Sequence, residues 1–95
     1  MQFPIRQLTQ KEFPALLKEI PDVPDRLFIR GELPKPEYVY LCVVGSRATT
    51  LYGRRICTSL ISGLARYPVA IISGMALGID AQAHIAALDV GLPTI

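Results

Sequence analysis

Surplus charge, metal-binding side chains and long apolar runs are all scarce in this 95-residue sequence, and each scarcity excludes something. Ten basic against eight acidic residues leave a net charge of +2. That is too even for bulk electrostatics to announce a polyanion partner, so any nucleic-acid contact must be local. The two cysteines, Cys42 in a strand-like run and Cys57 in a helical one, have neither metal-ligand spacing nor a secreted disulfide context. Both are expected as free, buried thiols, with no metal site. No apolar run approaches the roughly 20 residues that span a bilayer, and the N-terminus lacks the charged-then-apolar pattern of a signal peptide. A soluble, cytoplasmic protein without membrane contact is the expectation. Neither G-x-G-x-x-G nor G-x-x-x-x-G-K-[ST] occurs, which disfavours a dinucleotide oxidoreductase and a Walker loop, and no cofactor is expected.

What the sequence does hold is aliphatic: 51% of residues are hydrophobic and only 7% aromatic, as in packed α/β layers. A chain this short is one domain at most. Its mean hydropathy of +0.35 is high for the size and suggests apolar surface meant to be covered by something absent. The chain reads as a fragment.

Residues 1–37 form a proline-rich lead-in, punctuated by Pro4, Pro14, Pro21, Pro24, Pro34 and Pro36. The pattern predicts one short helix over Lys11–Ile20, with Thr9 as N-cap and Glu12 as capping-box partner, and a short strand at Arg26–Arg30, together packing against a main sheet. Residues 38–95 read as the first half of an open parallel sheet. Tyr38–Val44 is a continuous apolar run, expected as a central strand buried on both faces. A helix from Thr49 or Thr50 to about Arg66 follows, with Ile56, Leu60 and Leu64 in one apolar row and Leu51, Ile61 and Ala65 beside it. Pro68 ends it, Val69–Ile72 is a second buried strand, and the two make a right-handed βαβ unit. A second helix over Ile79–Leu88 closes near Gly91, and Pro93-Thr94-Ile95 begins a third strand.

The chemistry lies where the strands end. Open parallel sheets bind ligands outside the carboxyl ends of their strands, where glycine turns expose N–H groups and the next helix presents its positive end. Gly45 lets the backbone leave the first strand sharply, so the N–H groups of Ser46, Arg47 and Ala48 and the Ser46 hydroxyl are expected to face outward. Arg47 adds a planar fork that fits phosphate oxygens, and a cation near a helix start is unfavourable unless an anion joins it. On the second turn Gly74 and Gly78 permit close approach and Ser73 supplies a hydroxyl. The predicted anion site is therefore Gly45, Ser46, Arg47, Ser73, Gly74 and Gly78, with no catalytic residue. Each glycine also has a purely structural reading as a sharp turn. Asp80 lies where a carboxylate suits the helix dipole, though it would also repel phosphate. His84, four residues on, fits a structural histidine oriented by Asp80, because no serine or cysteine nucleophile stands beside it. Tyr52 and Gly53 are expected to let the first helix pack closely, with Tyr52 as a base-stacking platform the other reading.

Val43-Val44-Gly45-Ser46-Arg47 with Thr50, Tyr52 and Gly53, followed by Ser73-Gly74-Met75-Ala76-Leu77-Gly78-Ile79-Asp80 and Ala83-His84, closely resembles the DNA-processing protein A (DprA/Smf) family. Leu17–Pro24 and Leu27–Gly31 resemble that family's lead-in. The resemblance covers almost the whole chain. It implies an extended Rossmann-like fold that binds and protects single-stranded DNA in natural transformation and loads the RecA recombinase onto it, usually as a homodimer, without catalysis. It places Ser46 and Arg47 in the DNA pocket with the Gly74–Gly78 turn beside them. Leu51 stands where the family often has proline and Ala48 where it often has asparagine, changes expected to loosen the helix start. The alternative is a nucleotide-binding Rossmann-like enzyme or sensor related to phosphoribohydrolases, whose later P-G-G-x-G-T-x-x-E segment does not occur in these residues.

Overall fold

Proline decides the local structure of the first unit, which runs to Leu33. The computed structural model describes residues 3–95, and in it the helix expected over Lys11–Ile20 is replaced by two 3-10 turns, Gln10–Glu12 and Ala15–Glu19. Pro14 is the cause. It has no N–H and drives the residue before it out of the helical region, and Phe13 is accordingly extended at φ −61°, ψ 136°. Glu12 keeps its capping role: one carboxylate oxygen accepts the Thr9 N–H at 3.0 Å, and the other accepts from Arg6 at 2.8 Å. The strand expected at Arg26–Arg30 is shorter, β2 over Phe28–Arg30. It pairs antiparallel with β1 over Ile5–Gln7, a three-residue strand too short to show in the pattern. Among the described residues of this unit, Leu8 and Phe13 are the buried apolar ones.

The second unit, Pro34–Ile95, is a mixed α/β arrangement. Its elements are β3 (Val39–Cys42), α1 (Leu51–Ser62), β4 (Val69–Ile72) and α2 (Ile79–Asp89). β3 and β4 are parallel, in register from Val39–Val69 to Cys42–Ile72, with α1 as the connection. On the other side of β4, Ile71 donates to the Pro93 carbonyl and accepts from Ile95, each at 2.8 Å, so the last residues add a parallel bridge at Thr94. β4 therefore holds the central position expected of Tyr38–Val44. Ala70 and Ile71 are fully buried, whereas every residue of β3 is exposed, Val39 at 63%. Among the described residues β3 has one hydrogen-bonded neighbour and neither helix packs on its faces, whereas α2 packs on β4, and that is why the apolar run of β3 stays open. Cys42, expected buried, is exposed for the same reason; Cys57 is buried, and burial pushes its thiol pKa up.

Thr50 is the cap of α1, its side chain accepting the Gly53 N–H at 3.0 Å, so the helix start is closed with Leu51 and Ala48 in place. The helix ends at Ser62 rather than near Arg66. After Gly63 the chain tightens into turns, Ala65 donating to Ser62 and Tyr67 to Leu64, and Pro68 holds the chain extended as it enters β4. The packed stripe also differs from the expected one. Cys57 and Ile61 are buried, with Leu64 packed against them, while Ile56 and Leu60 are exposed. α1 thus turns its Cys57–Ile61 side to α2, which meets it with Ala83, Ala86 and Ala87. Ile61 and Ile71 are the largest fully buried side chains, each worth about 1.5–3 kcal/mol of burial. No helix among the described residues is long and apolar enough to cross a membrane.

α2 ends in a Schellman motif: Leu92 donates to the Ala87 carbonyl at 2.9 Å and Gly91 to Leu88 at 3.2 Å, with Gly91 at φ 77°. Two glycines of positive φ then differ in their surroundings. A Cβ on Gly91 meets nothing within 4 Å, but one on Gly78 would overlap the Ser46 carbonyl oxygen and lie 2.7 Å from the Arg47 Cα. Gly91→Ala is expected to cost about 1 kcal/mol, and Gly78→Ala at least about 3 kcal/mol, because strain and overlap add. Paired urea denaturation curves of the two variants check this; equal losses would show that Gly78 is not a packing requirement.

Candidate functional site

The turns that leave β3 and β4 are held together by one carboxylate. Asp80, only 6% exposed in the first turn of α2, accepts the Gly45 N–H at 3.2 Å with Oδ1 and the Gly74 N–H at 3.1 Å with Oδ2. The approach needs glycine: a Cβ on Gly45 would sit 2.8 Å from the Ile79 Cβ, and one on Gly74 3.2 Å from Asp80 Oδ2. Ser46 accepts the Ile79 N–H at 3.1 Å through its carbonyl, and Gly78 packs on the Ser46–Arg47 backbone. Ser73 donates its hydroxyl to the Val43 carbonyl at 2.7 Å, tying the strand ends. All six residues singled out in the sequence, Gly45, Ser46, Arg47, Ser73, Gly74 and Gly78, are thus brought into one cluster.

Burial pushes the Asp80 carboxyl pKa up, but the Gly45 and Gly74 N–H donors, the nearby Ser73 hydroxyl and His84 outweigh it, and the net direction is down. Ser73 has one hydroxyl proton, and its short bond to Val43 takes it, so the two amides dominate the lowering. The amides at Gly45 and Gly74 therefore already have their anion. Ala48 is also occupied, donating to Ser46 Oγ at 3.1 Å while that hydroxyl donates to the Ala48 carbonyl at 3.2 Å. What the cluster presents outward is Arg47. It is exposed, it forms no ion pair among the described residues, and the N–H groups of Ser46 and Arg47 have no acceptor among them.

Two expectations are corrected here. His84 is oriented by Thr94, not by Asp80: Nδ1 lies 2.7 Å from Thr94 Oγ1, whose own proton goes to the Ile71 carbonyl at 2.9 Å. That chain places the imidazole proton on Nδ1 and leaves Nε2 buried without a partner. Tyr52 is 74% exposed, and a Cβ on Gly53 would crowd only Thr49 Oγ1 at its own helix start, at 2.9 Å, with Ile79 Cδ1 at an ordinary 3.7 Å, so neither residue sets a close packing of the helix. The residue that sequence reasoning underrated is Asp80. Its signal was a carboxylate two residues after a turn glycine, at a point where a helix start faces the ends of two strands.

Asp80→Asn keeps the shape but leaves one turn N–H without an oxygen. The variant is expected to melt lower at neutral pH and to lose part of the acid dependence. The folded-state pKa is depressed, so the stabilisation is present above the unfolded value and is lost as pH falls through the folded one, below about pH 4. Thermal midpoints of both proteins from pH 7 to pH 3 check this: the gap should narrow toward the acid end, and a constant gap would refute the assignment.

The sequence pattern of the family described as DNA recombination-mediator protein A matches residues 5–95. The DNA processing protein DprA of Streptococcus pneumoniae is 40% identical over 94 residues, which are 99% of this chain and 33% of that protein. Protein Smf of Escherichia coli is 45% identical over 78 residues, 82% of this chain and 21% of Smf. Among solved structures, the X-ray structure of Streptococcus pneumoniae DprA aligns over 98% of this chain and 32% of its own, with a TM-score of 0.79 and 39% identity. DNA processing protein A of Helicobacter pylori, whose structure describes a unique single-stranded DNA binding mode, aligns over 92% of this chain and 40% of its own, with a TM-score of 0.75 and 27% identity. The chain spans about a third of the length of the pneumococcal relative. With nearly every residue from the first strand to the last matched and both strand-end turns present, the chain belongs to the DNA recombination-mediator protein A (DprA/Smf) family.

Proposed function

We propose that this chain carries the strand-end turns of a Rossmann-like domain that binds single-stranded DNA, without catalysis of its own, and that Arg47 is its phosphate contact. The observation that carries the reading is an exposed guanidinium, in no ion pair among the described residues, set on a turn whose backbone is pinned by a buried carboxylate. The backbone beneath this cationic side chain needs no further ordering to meet a phosphate, and a guanidinium does so with two parallel hydrogen bonds. Gly45, Ser46, Ser73, Gly74 and Gly78 act as the frame of this site. The exposed Tyr52 ring, on the first turn of the helix that follows Arg47, is a platform for an unpaired base. Family membership and the single-stranded DNA binding described for the Helicobacter pylori relative support the same class of ligand. The proposal for the whole protein, of which this chain matches about a third in the pneumococcal relative, is that it protects incoming strands in natural transformation, loads RecA onto them and works as a homodimer.

Arg47→Ala is expected to weaken binding of a labelled oligothymidine about tenfold, the range of one charge-assisted hydrogen bond, and to reduce the slope of log affinity against log salt by about one. Fluorescence anisotropy at several salt concentrations measures both. Arg47→Lys should restore the slope and only part of the affinity, since an ammonium keeps the charge without the fork. Unchanged binding in Arg47→Ala overturns the proposal, and competition by AMP without strand preference would assign the site to a nucleotide instead.

A further inference from the structure

Met75 is the one non-glycine residue with positive φ among the described residues, at 59°. The left-handed region crowds the Cβ against the backbone, and a long, unbranched side chain has no local hydrogen bond to offset that. Nor does packing compensate, because Met75 is 79% exposed and Leu77, two residues on, is 75% exposed. The turn is not loosely built. Gly74 is bound to Asp80 at 3.1 Å, and Gly78 lies where any Cβ would come within 2.7 Å of the Arg47 Cα. Between those two fixed points the chain presents two apolar side chains to solvent, on a turn whose end at Gly78 packs against the backbone of Arg47, itself exposed. Folding gains nothing from either, and glycine would suit the Met75 backbone better.

We propose that Met75 and Leu77 pack against the unpaired bases of a nucleic-acid strand whose phosphates Arg47 engages. The inference rests on the phosphate role of Arg47 and extends it from charge to base. A base offers an apolar π-face, and a thioether sulfur or an aliphatic side chain packs well against such a face. In a duplex those faces are stacked on one another, so an apolar contact of this kind selects the single strand. It reads no base edge and therefore tolerates any sequence.

The test compares a labelled oligothymidine with an abasic strand of the same length, titrated by fluorescence anisotropy against the 95-residue chain, Met75→Gly, Leu77→Ser and Arg47→Ala. The unsubstituted chain should bind the oligothymidine more tightly than the abasic strand. Met75→Gly and Leu77→Ser should each shrink that ratio about two- to tenfold, the range of a sulfur or aliphatic contact with an aromatic face, and leave the salt slope unchanged. Met75→Gly should also melt higher, because relief of strain coupled to loss of affinity separates a binding role from a structural one. Arg47→Ala should lower affinity for both strands equally and leave the ratio as it was. If Arg47→Ala is silent while the ratio still falls in Met75→Gly, the phosphate reading fails and the base contact stands. The proposal is overturned by a ratio that neither turn variant changes, by equal affinity of the unsubstituted chain for both strands, or by no oligothymidine binding up to about 1 mM, above the range of non-specific phosphate contacts. It is equally overturned if the variants change the sedimentation mass and not the ratio, which would assign the surface to self-association.

Discussion

The bidentate grip of the Asp80 carboxylate on the Gly45 and Gly74 amides is the constraint on which the rest of the second unit depends. Two parallel strands end at the same level, and their turns diverge toward two different helices, so nothing in the ladder between β3 and β4 fixes where the turns go. A carboxylate has two acceptor oxygens in one rigid plane, and one donor from each turn satisfies them both. The start of α2, the exit of β3 and the exit of β4 then become a single piece. Ser73 donating to Val43 and Ile79 donating to Ser46 close the same junction from its other sides. The glycines follow from this arrangement: backbone can approach backbone within hydrogen-bond reach of one small side chain only where no Cβ intervenes.

The same constraint changes how the site engages an anion. Glycine turns at strand ends commonly hold a phosphate by aiming several backbone N–H groups at it. Here the amides of Gly45 and Gly74 are satisfied internally, and the buried charge on Asp80 is balanced by those donors rather than presented to solvent. Repulsion of an incoming phosphate by Asp80 is thereby blunted, and the attractive part falls to the Arg47 side chain together with the Ser46 and Arg47 N–H groups, which have no acceptor among the described residues. Arg47 keeps its donors free because no carboxylate among the described residues reaches it.

Much of this was legible in the sequence, for reasons that differ from element to element. Strand-end turns announce themselves through glycine, α1 through its cap and apolar spacing, α2 through the turn before it and Gly91 after it, and the order β3, α1, β4, α2 follows from them. The differences arise from one neighbour effect and several long-range contacts. Proline is tolerated in the first turn of a helix, yet Pro14 governs Phe13 and splits the segment. An apolar run does not say how many neighbours a strand has, so β3 was expected in the centre where β4 stands. Ile56 and Leu60 have the right spacing for a packed stripe but lie on the wrong side of α1, because the alanines of α2 meet Cys57 and Ile61. Spacing also paired His84 with Asp80, whereas the carboxylate faces the turns and the imidazole faces Thr94. A carboxylate with two acceptor oxygens can satisfy two partners far apart in the chain, and pattern along one helix cannot show that.

A site that holds its ligand through an arginine on a pinned turn differs physically from one lined by amides. Fixed dipoles surround a single phosphate, define its position and suit a discrete small molecule. A guanidinium at the end of a flexible stem fixes no such position; it satisfies whichever phosphate comes within reach, and its contribution weakens as salt screens it. That is a poor way to select a nucleotide and a serviceable way to hold a repeating polyanion, in which the next phosphate replaces one that slips away. Selectivity among polyanions must then come from uncharged contacts beside the arginine. The rigid junction that Asp80 creates holds the turn carrying Met75 and Leu77 beside the backbone from which Arg47 extends.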